Sequence, residues 1–332
     1  MDLATDAVNL FCLLCNIEHE RFEQALHVLS VYTTLVPKSS PEELDFALCA
    51  YGTSLVTNPD HFLALFRYIL YSFSQDTEPE NRYIYLRALS CLLNSNEPEN
   101  DIIRPFVAIL SAETATLVVS EKNLKLSLQT LAKHLAGVRI GQYSFELVVA
   151  FVTKVARSLL VYNFEDALSI YKTLTQIASA LLLFHRVRMS SRHHLITEMF
   201  CALMEPLTLV GNKHLAHSPG AVEHYTRVMS NLCEPKFKQR TGSLTLNSAS
   251  ASAKRSLRKH LPVILLAFIH LSLNSRFGDK TQEGLLACMS IVFDTISESE
   301  LQIVNASLDL PGKLYMKLIY TRYKENYKWK TN

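Results

Sequence analysis

The chain has 332 residues, of which 48% are hydrophobic and only 9 are glycine, so it can bury a sizeable core and disorder of the whole chain is excluded. Scarce glycine argues against folds that depend on glycine-rich phosphate loops. The net charge of +2 hides an asymmetry, because residues 1–101 hold fifteen acidic and five basic side chains; we therefore expect the two ends to have different neighbours.

Five segments carry the signature of a helix start, which is a capping residue followed by apolar residues at helical spacing. In chain order these segments are residues 40–43, 58–60, 120–121, 163–165 and 297–300. The first is the clearest, because Pro41 suits the first helical position and Ser40 and Glu43 can form a capping box. Residues 114–120 are the best strand candidate, and we interpret this short, isolated segment as a helix end or a loop.

So many amphipathic helices, joined by short loops, predict an all-α protein. They could form a globular bundle, but wide apolar faces favour an irregular helical-repeat array of antiparallel helix pairs, an α-solenoid of the HEAT or armadillo type. Residues 236–253 break the helical rhythm with Ser, Thr and Lys and no acidic residue. We therefore predict a helical-repeat region over 1–235, a flexible basic linker over 236–253, and a C-terminal helical region over 254–332 that packs on the preceding repeats.

Two groups of residues could in principle bind a metal, but neither has the full pattern. Cys12 and Cys15 form a C-x-x-C inside an apolar helical stripe, without a second such pair, so we predict core thiols. Histidines and one cysteine recur over residues 193–233, yet zinc needs four converging ligands and only His214 and His217 have suitable spacing. The sequence contains no nucleophile elbow, phosphate loop or paired-carboxylate motif. We predict no metal, no cofactor and no enzymatic activity.

Two clusters of basic residues are the best candidates for an RNA- or partner-binding surface. The first cluster contains seven basic residues and no acidic one: Lys236, Lys238, Arg240, Lys254, Arg255, Arg258 and Lys259. The second follows one stripe of the last predicted helix: Lys313, Lys317, Lys324 and Lys328. A solvated helix face is the plainest interpretation of such lysines, and contact with phosphate or with an acidic partner surface is the alternative.

The last predicted helix also carries an apolar, aromatic-rich face. Its members are Leu314, Tyr315, Leu318, Ile319, Tyr323 and Tyr327. An amphipathic helix buries its apolar stripe against its neighbours, so we expect these residues to pack the helix onto the rest of the chain.

Motifs in the last part of the chain are more specific than helical spacing alone. "KHLP" (residues 259–262), "SESEL" followed by "NASLD" (297–309) and the closing "KLYMKLIYTRYKENYKWK" (313–330) resemble the C-terminal domain of the nucleolar pre-ribosomal protein 2 family, also called unhealthy ribosome biogenesis protein 2. Upstream, "LLLFHRVRMSSRHHLI" and "VEHYTRVMSNLCEP" are similar to the same family's His/Arg-rich helix and its Leu-Cys-x-Pro end. The resemblance covers roughly residues 176–332.

This resemblance implies a large helical-repeat scaffold in the nucleolus that acts in assembly of the large ribosomal subunit and in pre-rRNA processing. The partners it implies are a DEAD-box RNA helicase and another large helical scaffold, with pre-rRNA as a further candidate; neither a membrane nor a small-molecule substrate is expected. Members of the family are much longer than this chain, so we expect a C-terminal fragment or a short member. The alternative is a helical-repeat adaptor of another intracellular complex, in trafficking or transport, and an enzyme with a site between helices ranks last.

Overall fold

A computed structural model describes residues 59–95, 103–233 and 255–328 of the chain. The chain divides into two compact units, residues 1–144 and 145–332. Several features predicted from the sequence lie outside the described residues: the Cys12 and Cys15 pair, the helix start at Ser40, the linker over 236–253, and the basic residues Lys236, Lys238, Arg240 and Lys254.

The described residues of the first unit are mostly helical. The helices are α1 (Pro59–Gln75), α2 (Pro79–Ser95), α3 (Ile103–Ala112), α4 (Thr114–Leu117) and α5 (Glu121–Gly137), followed by the start of α6 (Gln142–Ser158). Helix α2 packs against both α1 and α5, and α3 contacts α1. Arg82 of α2 lies 4.4 Å from the centre of the Phe73 ring and forms an ion pair of 3.4 Å with Glu113, which fastens α2 to the α3–α4 connection.

The second unit contains most of α6, helical residues at 255–258, and further helices that follow α6 in chain order. They are α7 (Ala167–Phe184), α8 (His193–Met204), α9 (Lys213–Ala216), α10 (Pro219–Cys233), α11 (Leu261–Asn274), α12 (Asp279–Thr295), α13 (Glu298–Ser307) and α14 (Leu310–Lys328). Short 3-10 turns follow α7 and α8, at Arg186–Met189 and Glu205–Leu207.

The helices of the second unit form two layers. Helix α10 packs between α7 and α12 in one layer, while α8 packs on α11 in the other, and α11 also contacts α13 and α14. Each of these contacts skips helices that are nearer in sequence, which is how stacked helix pairs bury a continuous core. The protein is therefore an all-α, irregular helical-repeat protein, as the sequence predicts.

Buried tyrosines connect the two layers. The hydroxyl of Tyr171 in α7 donates a hydrogen bond of 2.8 Å to the carbonyl oxygen of Leu203 in α8, and the hydroxyl of Tyr225 in α10 donates one of 3.2 Å to that of Phe200. Both rings are fully buried. Burial raises the pKa of each phenol well above its usual value, so both hydroxyls stay protonated and able to donate.

The helix starts follow the capping chemistry of the sequence. The Ser120 side chain accepts a hydrogen bond from the backbone N–H of Asn123 at the start of α5, and Ser297 and Glu300 form a capping box at the start of α13. Helix α1 begins at Pro59, as predicted. The start of α7 is shifted slightly from the predicted 163–165, because Asp166 is its N-cap and accepts from the N–H of Ser169.

The interpretation of residues 114–120 as a non-strand segment is confirmed, since Thr114–Leu117 forms the single-turn helix α4. Among the described residues, the one β-type pairing is an isolated bridge between Thr208 and Phe277. The His214 and His217 pair of the zinc hypothesis lies on a short helix and its C-terminal cap. Residues Lys213–Ala216 form the short helix α9, because Asn212 caps the backbone N–H groups of His214 and Leu215.

Two segments, Ala167–Phe184 and Arg255–Asn274, are long and apolar enough to cross a membrane by length and composition alone. The first is α7, of which 61% is buried in the second unit. Packing between helices therefore accounts for its apolar composition, as it does for core helices in general.

Candidate partner-binding surfaces

The aromatic side of α14 is its packed side. The rings of Tyr320 and Tyr323 lie 5.4 and 5.2 Å from that of Phe293 in α12, centre to centre. The Tyr323 hydroxyl also donates a hydrogen bond of 2.6 Å to an Asp294 carboxylate oxygen. Tyr315 receives a hydrogen bond of 3.0 Å from Gln282 at its hydroxyl oxygen. These rings therefore pack against or bond to the rest of the protein, as expected for Tyr315 and Tyr323.

The two leucines of the predicted apolar face are on the opposite side. Leu314 and Leu318 are 63% and 65% exposed, and Leu310, one turn earlier, is 71% exposed. The prediction that Leu314 and Leu318 pack the helix onto its neighbours is therefore wrong. At 100° per residue, residues 310, 314 and 318 form one stripe that is turned away from the packed Ile319. The predicted apolar face is therefore divided into a buried side and an exposed side.

The lysines of α14 lie along one edge of this leucine stripe. Lys313, Lys317 and Lys324 are all exposed, and the ammonium group of Lys324 lies 4.7 Å from the centre of the Tyr320 ring. Helix α14 includes Lys328, whose side chain lies outside the described residues. The edge position keeps these charges in solvent beside an apolar surface, which is an arrangement that a partner can recognise.

We predict that the two sides of α14 differ sharply in their effect on stability. Replacing Ile319, which is buried, with Ala should lower the free energy of unfolding by about 2–4 kcal/mol. Replacing Leu314 and Leu318 together with Gln should change it by no more than about 0.5 kcal/mol, because both side chains already face solvent. Urea denaturation of the three proteins checks this, and a large loss in the double variant would mean that the stripe is covered within the chain.

The described members of the first basic cluster have different surroundings. Arg255 and Lys259 are exposed, whereas the Nε atom of Arg258 lies 3.2 Å from a Glu300 carboxylate oxygen. Hydrogen bonds from Ser297, more than the nearby Arg258, lower the pKa of Glu300 below its usual value. Arg258 therefore serves the fold at the start of α13, and Arg255 and Lys259 are the described residues of this cluster that remain available to a partner.

Beside this cluster, two histidines stack at the entrances of α8 and α11. The His193 and His260 rings lie 5.5 Å apart with nearly parallel planes. Burial, together with the neighbouring His260, Arg186 and His194, lowers the pKa of His193; burial, His194 and Lys259 lower that of His260. Sequence reasoning missed this pair, since their contact depends on how α8 meets α11.

Acidification should destabilise the protein through this pair. Both folded pKa values lie below the unfolded value of about 6.5, so the unfolded chain binds more protons as the pH falls. The contribution of the two neutral histidines to the free energy of unfolding is intact above about pH 6.5. It is lost as the pH drops through their lower folded-state pKa values. We expect the melting temperature to fall less between pH 7.5 and 5.5 in His193→Gln than in the parent. The exposed His270 supplies a control variant, His270→Gln, and an identical decline in all three proteins would contradict the prediction.

A groove of about 780 Å³ lies between α7, α10 and α12. Its lining includes Leu183, Glu223, Arg227, Lys280 and Gly284. Gly284 brings α12 close to α10, since a Cβ atom there would lie 2.4 Å from Val222 Cγ1. The groove is open and mixed in polarity, and it lacks the convergent buried polar groups that typify a small-molecule site.

The histidine and cysteine side chains of the zinc hypothesis do not converge. Among the described residues, no three His, Cys, Asp or Glu side chains form a group that could hold a metal ion. Cys201, Cys233 and Cys288 are buried, and burial raises the pKa of Cys201 to about 12. Its thiol stays protonated at neutral pH, so it is neither a ready ligand nor a nucleophile.

Comparisons with known proteins found one family model and one solved structure that resemble the chain. The model of a family described as the Urb2/Npa2 family matches residues 121–332. None of the curated proteins matches the chain significantly. Among solved structures, the chain resembles a designed armadillo repeat protein at 13% sequence identity and a TM-score of 0.37, over 77% of this chain and 95% of that one.

Proposed function

Because this chain belongs to the Urb2/Npa2 family, whose model matches residues 121–332, we propose that it is a non-enzymatic scaffold in nucleolar assembly of the large ribosomal subunit. The family is one of nucleolar ribosome biogenesis, and neither the family nor a helical-repeat fold is typically catalytic. Within ribosome biogenesis, we propose specifically that the protein is a scaffold, that it acts on pre-60S particles, and that it takes part in pre-rRNA processing. The match over most of the chain, including both α8 and α14, is the observation that carries it.

The surfaces of the second unit support a binding role. The fold places exposed basic residues and exposed leucines on helices whose other sides are packed. These side chains can therefore contact a partner while the core stays buried. We propose that the partners are nucleolar assembly factors, namely another large helical scaffold and a DEAD-box RNA helicase, with pre-rRNA as an additional ligand. A helical-repeat adaptor of a trafficking or transport complex is the rival proposal.

Affinity purification of the tagged protein from its own cells tests this proposal. The expected result is co-purification of pre-rRNA and large-subunit assembly factors, co-sedimentation with pre-60S particles, and accumulation of unprocessed pre-rRNA after depletion. Nuclease treatment before elution separates partners held through protein from those held through RNA. Recovery of a trafficking or transport complex, without pre-ribosomal material, would overturn the ribosomal role in favour of the adaptor.

The lysines of α14 give a narrower test of RNA binding. If Lys313, Lys317 and Lys324 bind phosphate, replacing them with Gln, together with Lys328, should flatten the salt dependence of RNA binding. The expected change in slope is about 0.7 for each phosphate of a single strand that the variant no longer neutralises. The measurement is an RNA titration at several salt concentrations. Unchanged affinity and slope in the variant would remove RNA from the ligands of this helix.

A further inference from the structure

We propose that the exposed side of α14, made of Leu310, Leu314 and Leu318 with the lysine edge beside them, is the docking surface for an acidic amphipathic helix of a partner protein. The inference concerns the class of partner and holds whether or not the complex is ribosomal. It begins from the burial pattern of α14, which separates this helix into a packed side and a free side.

The free side is apolar over a defined length. The first and last leucines are eight positions apart, or about 12 Å along the helix, and the three have the i, i+4, i+8 spacing of a helix–helix contact. All three are more than 60% exposed. Thr321 and Glu325 continue the same stripe and end its apolar part. Scattered single apolar residues are normal on a surface, whereas a continuous stripe of this kind marks an interaction site.

The positive charges beside the stripe favour a partner with negative charge. Lys313, Lys317 and Lys324 are exposed along one edge, and within the described residues no ion pair joins Lys313 or Lys317 to an acidic side chain. A partner helix that laid its apolar face on the leucines would bring its own flanking residues against these ammonium groups. Glutamate or aspartate at those flanks would be favoured, and lysine or arginine would be repelled.

The chemistry of the stripe favours a protein over RNA. Single-stranded RNA is held by aromatic rings that stack on bases, together with cations. In α14 the described rings are turned inward, where Tyr320 and Tyr323 pack on Phe293 and Tyr323 is hydrogen-bonded to Asp294. What remains exposed is aliphatic. Leucines at helical spacing beside lysines suit contact with the apolar face of another amphipathic helix.

Site-specific photocrosslinking tests the proposal in the full-length protein. A benzoylphenylalanine replaces Leu314, the protein is expressed in its own cells, and adducts are identified by mass spectrometry after irradiation. The expected adduct is a segment of another protein that has apolar residues at helical spacing and acidic flanks. Nucleotide adducts, adducts to this chain's own residues or to a second copy, and no adduct above the level of a probe at Val210, which is 77% exposed, would each overturn the proposal.

Matched variants then test the two parts of the surface. In the crosslinking protein, Leu310→Gln together with Leu318→Gln should lower the adduct yield at least tenfold, and Lys313→Gln with Lys317→Gln should lower it and remove its salt dependence. Thermal melts should show that both pairs of substitutions leave the fold intact. Undiminished yield in both variants would also overturn the proposal. An acidic helix captured from a protein outside the ribosome pathway would support this inference while contradicting the proposed function.

Discussion

Replacing Tyr171 with Ala should lower the free energy of unfolding by about 3–5 kcal/mol, which is a large share of the about 5–15 kcal/mol that stabilises a typical domain. The ring is fully buried in α7, and its hydroxyl donates to the Leu203 carbonyl oxygen. That carbonyl belongs to the last turn of α8, where backbone oxygens have no partner within the helix. Tyr171 therefore fills the space between the two layers and also satisfies a helix end.

Replacing Tyr171 with Phe separates these two contributions. The ring stays, so the loss should be the about 1–3 kcal/mol that follows from leaving a buried carbonyl without its donor. Leu168→Ala, a partly exposed site on the same helix, is the control and should cost clearly less. Urea denaturation at constant m-value measures all three. If the Phe and Ala variants lost equal stability, the ring would contribute nothing to packing and the layer arrangement would be wrong.

The helical-repeat fold was predictable because its signals are local. The capping box at Ser297 and Glu300 and the cap at Ser120 lie within a few residues of the helices that they start, and they operate as the sequence indicates. The one-residue offset at Asp166 arises because Asn, Asp and Glu are clustered there and several could serve as the cap. Local chemistry of this kind needs no knowledge of distant contacts.

The surface of α14 was less predictable for a geometric reason. Leu314 and Leu318 have the same apolar character as Ile319, so an apolar stripe with a broad arc looked like one packed face. The structure divides it, because α11 and α12 cover only the side that holds Ile319 and the tyrosines. Which part of a wide apolar arc is covered depends on how many neighbours a helix has, and a sequence does not state that number. The solvated helix face predicted for the lysines, by contrast, is confirmed at Lys313, Lys317 and Lys324, which are exposed. This was predictable because lysine is almost never fully buried unless it is paired.

The contact between α10 and α12 shows the same dependence on distant residues and leads to a second prediction for stability. A Cβ atom on Gly284 would lie 2.4 Å from Val222 Cγ1, and Val222 is buried and stiff at χ1. Gly284→Ala gains about 1 kcal/mol of helix propensity but must push the two helices apart, at about 1–3 kcal/mol. We expect a net loss of stability, whereas an alanine in an exposed, uncrowded helix position should bring a gain.

A double-mutant cycle separates the clash from every other effect of the new methyl group. Val222→Ala alone should destabilise the chain by removing buried methyl groups, but in its presence Gly284→Ala should become neutral or stabilising, with a coupling of about 0.5–3 kcal/mol. Gly137→Ala, at the end of α5 with no atom within 4 Å of the new Cβ, is the matched control and should not destabilise. The cycle is measured by urea denaturation of the four proteins. Additive losses at residues 222 and 284 would mean that α10 and α12 do not meet at this glycine, and that a looser packing of the layer must replace the one described.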